Sequence, residues 1–184
     1  DCESRDHSGL GLHPGSGSQR PLMRGNKLIG NNIGLFFCWG VKFGLAENNI
    51  IEDTKSAGIS VGHRDTDNVI RKNIVKRSGK FGILFRPERG EGFTGDRNLV
   101  EENTVIDTGD ETAVAIDVQG TTANLVIRRN VLQETRGAGK RVGIRLAKDT
   151  KGIRLEENTI EGFAVKLKGI DPNFERIDVT FNTC

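Results

Sequence analysis

The sequence repeats a short phrase at a spacing that few folds use. "LVEENTVI" begins at residue 99 and "RLEENTIE" at residue 154. Both copies belong to a wider pattern, an Asn with an apolar residue three positions before it, which recurs every 22 to 30 residues. The pattern gives Asn26, Asn48, Asn73, Asn103, Asn130, Asn158 and Asn182. Self-similarity at this period is typical of a solenoid, in which each coil buries its apolar face against its neighbours.

A second pattern precedes each of the seven asparagines. It is a Gly or Ala followed by an alternating run such as "GISVG" from Gly58 or "GIRLA" from Gly143. The first and third positions after the small residue are apolar in all seven runs: Leu10, Leu12, Leu35, Phe37, Ile59, Val61, Ile83, Phe85, Ile116, Val118, Ile144, Leu146, Val165 and Leu167. A period of two predicts short strands with one buried face. Helical and leucine-rich repeats need apolar spacings that these runs lack.

Together, the Asn turns and the Gly-Ile strand in each coil resemble the right-handed parallel β-helix of the pectate-lyase-like superfamily, over residues 9 to 182. The predicted fold is all-β, a single-stranded right-handed parallel β-helix of about seven coils in one domain, 1–184. The resemblance implies that the asparagines stack their amides along the coil at a turn. The paired glutamates are then predicted to be solvated turn residues. Such a scaffold does not by itself fix an activity.

Composition and chain ends set further limits. The chain is 35% hydrophobic and 28% charged, and its net charge of +2 gives no reason to expect nucleic acid or a membrane as partner. Coils about 4.8 Å apart would keep Cys2 far from Cys184, so no disulfide is expected between them. Solenoid ends normally carry caps. The starts and stops of the repeats therefore predict a fragment lacking one or both caps, or end-on self-association.

The outward positions of the strands carry the candidate site. In register they become charged toward the C-terminus and predict a basic face around one carboxylate: Arg86, Asp117, Arg145, Lys166 and Lys168. Two charged loops, 62–68 and 86–97, run beside this face, and loops on rigid scaffolds are where sites are usually built. His63 lies in the first of these loops.

An acidic polysaccharide is the partner that this face suits. The resemblance implies a lyase or epimerase that abstracts the proton next to a uronate carboxyl, which needs a base and a cation to neutralise the carboxylate. Lys166, flanked by Arg145 and Lys168, is the predicted base, and Arg86 or Arg145 the neutralising cation. Lys168, His63 and Asp117 are predicted to bind substrate. His63 is also a candidate acid or base, and Asp117 could orient an arginine or hold Ca²⁺, the one cofactor considered. No cysteine and histidine metal site is expected.

Other functions remain open at this point. Outward Lys and Arg side chains on a sheet are usually solvated, so a non-catalytic polysaccharide-binding protein, an adhesin or a structural β-helix is the alternative. Glycoside hydrolysis is disfavoured because Asp117 stands alone and that chemistry uses paired carboxylates. Whether the protein is an enzyme, and on which sugar it acts, the sequence does not decide. Either function predicts an extracellular or cell-surface location.

Overall fold

The computed structural model of the protein describes residues 1–169. Within them the chain passes repeatedly through three parallel sheets, A, B and C, and makes about seven turns. Sheet A contains Glu3–Arg5 (β1), Lys27–Ile29 (β4), Ile50–Glu52 (β7), Ile74–Lys76 (β10), Thr104–Ile106 (β13), Val131–Gln133 (β16) and Thr159–Glu161 (β19). Sheet B contains Leu10–Leu12 (β2), Ile33–Phe36 (β5), Ala57–Val61 (β8), Phe81–Phe85 (β11), Val114–Val118 (β14), Val142–Leu146 (β17) and Val165–Lys168 (β20). Sheet C contains Leu22–Arg24 (β3), Leu45–Glu47 (β6), Val69–Arg71 (β9), Leu99–Glu101 (β12), Val126–Arg128 (β15) and Arg154–Glu156 (β18).

This architecture confirms the predicted all-β parallel β-helix. Every named strand pair is parallel and joins neighbouring coils, with no strand pairing inside a coil. No helix in residues 1–169 has the length and apolarity needed to cross a membrane.

The corners between sheets share one backbone conformation. A residue with positive φ turns the chain, and the residue after it points into the solenoid. At the corner from sheet C to sheet A, for example, Lys72 and Glu102 both have φ of 54° and precede Asn73 and Asn103. This conformation costs a non-glycine residue about 1–2 kcal/mol. The corners therefore depend on the buried residue that follows each of them.

A continuous apolar core fills the interior, and side chains from all three sheets contribute to it. Ile51, Ile59 and Ile70 supply it from sheets A, B and C, and each is fully buried. The predicted inward residues of the middle coils are buried as expected: Leu35, Phe37, Ile59, Val61, Ile83, Phe85, Ile116, Val118, Ile144 and Leu146. Strand faces were therefore predicted correctly where coils lie on both sides.

The first and last coils are shifted by two residues from the predicted register. Leu12, not Leu10, pairs with Leu35, and Leu167, not Val165, pairs with Ile144. Val165 remains 41% exposed. A slip of two residues keeps the same face of a strand inward, and therefore the alternating pattern alone does not distinguish the two registers.

A buried asparagine ladder runs along the corner from sheet C to sheet A. It consists of Asn26, Asn49, Asn73, Asn103, Asn130 and Asn158. The Oδ1 of Asn103 accepts hydrogen bonds from the backbone N–H of Asn73 at 3.0 Å and from its Nδ2 at 2.9 Å. The Nδ2 of Asn103 donates in turn to the oxygen of Asn130 and to the Ile70 carbonyl. The predicted stacking of amides is confirmed.

One member of the predicted ladder was wrong. Asn49 occupies the second rung, whereas Asn48 is an exposed corner residue with φ of 55°. In the tandem Asn-Asn pair, the repeat spacing does not show which asparagine turns the chain and which points inward. Ala46, not Leu45, is accordingly the buried residue three positions before the rung. Asn182 lies outside the described residues.

A shorter ladder at the corner from sheet B to sheet C was not predicted. Asn68 donates through Nδ2 to the Oδ1 of Asn98 at 3.0 Å and accepts from the Gly44 N–H at 2.8 Å. In the next two coils the buried Leu125 and Ile153 replace it. Because this ladder has only two asparagines, its spacing does not recur often enough to be recognised as a repeat in the sequence.

An ion-pair column covers the outer face of sheet C. Successive strands place opposite charges beside one another: Arg24, Glu47, Arg71, Glu101, Arg128 and Glu156. Glu101 is only 7% exposed and accepts hydrogen bonds from Arg128 at 2.9 Å and Arg129 at 3.1 Å. The prediction that both glutamates of "EENT" are solvated turn residues is wrong for Glu101, because its place at a strand end sets it between arginines.

Removing a rung of the ladder should destabilise the fold strongly. Asn103→Ala removes the side-chain acceptor of the Asn73 backbone N–H and Nδ2 and the side-chain donor to the Ile70 carbonyl. Each buried group left unpaired costs about 1–3 kcal/mol. We expect the free energy of unfolding, measured by urea denaturation, to fall by at least about 2 kcal/mol. Asn48→Gly is the control and should change it little. Equal midpoints for the two variants would contradict a structural role for the ladder.

Glu101 should also contribute to stability. Glu101→Ala removes two charge-assisted hydrogen bonds whose arginines are partly exposed, so we expect a loss of about 1–2 kcal/mol, smaller at high salt. Glu111→Ala, at an exposed loop carboxylate, is the control. Thermal unfolding at low and high ionic strength measures both. A loss below about 0.5 kcal/mol would restore the solvated interpretation.

Candidate functional site

The outward column of sheet B is the floor of the candidate site. Strand pairing places the following residues side by side on successive coils: Phe36, Ser60, Leu84, Asp117, Arg145 and Lys168. The column changes from apolar and small to charged between Leu84 and Asp117. The predicted contact of Asp117 with Arg145 is confirmed.

Asp117 and Arg145 form a bidentate ion pair. The Nε of Arg145 donates to Oδ1 of Asp117 at 2.8 Å, and Nη2 donates to Oδ2 at 2.6 Å. Asp117 is fully buried, and Gln119 also donates to it, whereas the Arg145 side chain is 35% exposed. The hydrogen bond to Asp117 raises the pKa of Arg145 above its ordinary value. Arg145 is therefore a fixed cation with one side open to solvent.

The two lysines of the predicted face do not lie at the strand positions that the repeat pattern predicted. Lys168 pairs in register with Arg145, while Lys166 lies two residues earlier, beside Gly143. Both lysines are exposed. The predicted place of Lys166 directly beside Arg145 is wrong, because this coil carries the two-residue shift and Lys168 takes that place. The catalytic role of Lys166 stays a prediction.

Arg86 does not join this face. Its guanidinium turns toward the preceding coils, donating to the Ser60 hydroxyl at 3.0 Å and to the carboxylate of Asp65 at 3.1 Å. It also lies over the Phe36 ring at 4.3 Å, and its side chain is only 13% exposed. The predicted face is thus divided into two parts. Arg86, in coil four, contacts residues of coils two and three, whereas Asp117 and Arg145 pair with each other in coils five and six.

Asp65 explains why Arg86 turns away. This carboxylate is fully buried and accepts the N–H groups of Val41 and Gly62, both at 3.0 Å. Burial raises the pKa of Asp65, against the opposing effect of the two N–H groups and of Arg86. A buried carboxylate needs a paired cation. Arg86 supplies it, and in doing so anchors the start of the 86–97 loop.

The 86–97 loop folds over the solenoid and forms two grooves. The Glu88 carbonyl accepts the Thr121 N–H at 3.0 Å, and Arg89 donates to Asp149 at 2.8 Å. The sheet groove, of about 360 Å³, lies over sheet B and is lined by Pro87, Arg89, Asp117, Gln119, Gly120, Arg145, Leu146 and Ala147. The corner groove, of about 650 Å³, includes Arg89, Glu91, Thr94, Asp96, Lys148, Asp149 and Lys151 in its lining. The two grooves meet at Arg89.

The corner groove is lined by equal numbers of cations and carboxylates: Arg89, Lys148, Lys151, Glu91, Asp96 and Asp149. Asp96 is engaged by the Thr94 hydroxyl at 2.7 Å and the Ala123 N–H at 2.8 Å. The hydrogen bond from Arg89, with the charges of Lys148 and Lys151, lowers the pKa of Asp149. Lys148 and Lys151 themselves are exposed. The groove therefore offers two exposed ammonium groups, together with the exposed carboxylate of Glu91.

His63 lies at a distance from the Asp117 and Arg145 pair. It follows β8, two coils before Asp117, and is half-buried against the Trp39 ring, whose centroid is 4.7 Å away. Its Nδ1 is 3.8 Å from a carboxylate oxygen of Glu88. The structure does not bring His63 to the sheet groove, and its predicted role in substrate binding stays a prediction.

Asp117 does not suit Ca²⁺. Both of its oxygens accept hydrogen bonds from Arg145, whereas Ca²⁺ takes about six to eight oxygen ligands and no neighbouring cation. Among residues 1–169, no three His, Cys, Asp or Glu side chains come together as a metal site.

Several groove residues could not be identified from the sequence pattern. Arg89, Lys148 and Lys151 lie in loops, where the strand alternation says nothing about direction. The signal that could have found them is the length of the 86–97 insertion, which reaches over the next two coils. Asp65 carried no signal, because burial of a loop carboxylate depends on the coils around it.

Comparison with known proteins agrees with the geometry at the level of fold. No characterised protein and no solved structure gives a significant match. A family model described as "Right handed beta helix region" matches residues 1–132. This match covers most of the chain, including five of the strands on each of sheets A, B and C. The chain therefore belongs to the right-handed β-helix family.

Proposed function

We propose that this protein is a carbohydrate-active β-helix protein that binds an acidic polysaccharide across the sheet groove, outside the cell or at its surface. The β-helix fold fits a carbohydrate-active or pectate-lyase-like protein. The observation that carries the proposal is the Arg145 guanidinium, fixed on the groove floor by Asp117 and open to solvent on one side.

Arg145 is suited to a sugar carboxylate. A guanidinium carries five N–H donors, and the pair with Asp117 uses only two of them. Because its orientation is already set by Asp117, little rotamer entropy is lost when it binds a substrate. Lys168 lies next to it in register, and Lys148 and Lys151 follow on the corner groove. These cations complement a polymer with repeated negative charges.

Lyase or epimerase chemistry is the finer part of the proposal. Both reactions begin when a base removes the proton next to the uronate carboxyl, and a cation must then stabilise the enolate. Arg145 would be that cation, since its raised pKa keeps it protonated. Lys168 is the better placed proton acceptor, because it is beside Arg145 where Lys166 is not. Elimination would then break the glycosidic bond, whereas epimerisation would return a proton to the opposite face.

Binding without catalysis is the second candidate, and the position of Arg86 favours it. Arg86 is engaged by Asp65, Ser60 and the Phe36 ring, so only Arg145 among the three predicted catalytic residues lies in the sheet groove. A binding protein needs no base.

Charge removal in the sheet groove tests the binding proposal. The Asp117→Asn/Arg145→Gln double variant removes both charges without leaving a buried carboxylate unpaired. A hydrogen bond to a charged group is worth roughly 1.5–3 kcal/mol, so affinity for polygalacturonate, alginate or heparin should fall about 10- to 100-fold. Isothermal titration calorimetry measures it, with thermal unfolding as a check on the fold.

Control and catalytic measurements complete this test. Lys55→Ala, at the corner between sheets A and B, should bind as the wild type does. Affinity should weaken with salt, since the screening length shrinks from about 10 Å at 0.1 M to 3 Å at 1 M. A lyase would produce the ultraviolet absorbance of an unsaturated uronate, and an epimerase would incorporate solvent deuterium, each about 10²- to 10⁴-fold more slowly in Lys168→Ala. Salt-independent binding, or full affinity in the double variant, would refute the site.

A further inference from the structure

Three aromatic side chains form a row at the corner from sheet B to sheet C, one in each of coils two to four. The Trp39 and His63 ring centroids are 4.7 Å apart, and those of His63 and Phe93 are 5.8 Å apart. Trp39 is 57% exposed and Phe93 41% exposed. We call Trp39, His63 and Phe93 the aromatic row.

The aromatic row is held by backbone contacts between coils. The Gly40 N–H donates to the His63 carbonyl, and the Arg64 N–H to the Phe93 carbonyl, both at 3.0 Å. The Arg64 guanidinium lies over the Phe93 ring at 4.3 Å. A partner would therefore meet rings already fixed in position, which lowers the entropy lost on binding.

Core packing does not account for the row. More than half of the Trp39 surface and 41% of the Phe93 surface face solvent. Large aromatic side chains left this exposed add little to the core, and exposed apolar patches commonly mark interaction sites.

The aromatic row continues directly into the corner groove. Backbone hydrogen bonds between successive coils continue along this corner of the solenoid. The Asp67 N–H donates to the Asp96 carbonyl, the Arg97 N–H to the Ala123 carbonyl, and the Asn124 N–H to the Lys151 carbonyl. Phe93 and the corner groove residues Thr94 and Asp96 belong to the same loop. One straight edge therefore carries rings on coils two to four and ammonium groups on coil six.

The chemistry of this edge matches a polysaccharide chain. A pyranose ring has an apolar C–H face that packs on an aromatic ring, and hydroxyl edges that hydrogen-bond to charged side chains such as Arg64 and Glu88. An acidic polymer running along the solenoid would lay ring faces on the row and bring carboxylates to Lys148 and Lys151.

We propose that the aromatic row is a sugar-stacking site, in which the exposed Trp39 and Phe93, held apart by the half-buried His63, receive the C–H faces of sugars of the acidic polysaccharide entering the corner groove. The inference rests on the proposed function and extends the binding surface from coil six to coil two. The polymer then lies parallel to the solenoid axis.

The single tryptophan makes the row directly observable. Trp39 is the only Trp in the chain, so its fluorescence should change on titration with polygalacturonate, alginate or heparin oligosaccharides. Truncating a Trp that anchors a binding surface typically costs about tenfold or more in affinity, and Trp39→Ala should lose that factor in calorimetry. The dependence of affinity on salt should keep its slope, because no charge is removed.

Leu22→Ala is the control. Leu22 is a large apolar residue, 58% exposed on a strand of sheet C, and it lines neither groove and lies outside the row. Its replacement should leave affinity unchanged. Equal losses in Trp39→Ala and Leu22→Ala would overturn the stacking site by showing a general effect of removing exposed apolar surface.

The two proposals fail in different ways. If Trp39→Ala binds normally while Asp117→Asn/Arg145→Gln does not, the row is refuted and the sheet groove stands. If Trp39→Ala weakens binding while the double variant does not, the row stands and the sheet groove is refuted. An unchanged tryptophan emission with every oligosaccharide that binds would refute the row.

Discussion

The buried asparagine ladder is the interaction on which this solenoid depends. An apolar interior alone accepts a slide of two residues between coils, because the same strand face stays inward. The amides do not accept such a slide, since each must meet the amide and backbone of the next coil, and a buried polar network is costly when only partly satisfied. Asn73, held by Asn49 below and Asn103 above, sets the start of its coil in this way. The positive-φ corner before each rung is tolerated because the rung after it is locked.

Fixed register sorts the charged residues into two populations. On sheet C, Arg71 and Glu101 belong to a column of alternating charges that largely neutralises itself and covers the sheet. On sheet B, the column ends in Arg145 and Lys168, with one buried carboxylate between the apolar and the basic part. The same residue types are structural on one face and available to a ligand on the other. The solenoid can vary its loops without disturbing either column, which is how the 86–97 insertion forms grooves on an otherwise regular surface.

The candidate site could be predicted where it follows from strand register and not where it depends on side-chain direction. Asp117 and Arg145 occupy equivalent positions of neighbouring coils, so their contact follows from the repeat. Arg86 occupies a similar position, but the buried Asp65 draws it away, and burial of Asp65 is a property of three coils together. Lys166 and Lys168 were assigned two residues out of register, because within residues 1–169 their strand pairs on one side only, where the pattern permits both registers.

The sequence by itself determined the class of fold, the inward faces of the middle strands and five of the six described rungs of the ladder, because each of these repeats along the chain. It did not determine which residue of the Asn48 and Asn49 pair turns inward, since both satisfy the spacing. Only the tertiary structure brought Trp39, His63 and Phe93 into one row and placed Arg89 against Asp149, 60 residues apart. These contacts join loops of different length. Loop length carries no periodic signal, so the positions of such side chains exist only once the coils are stacked.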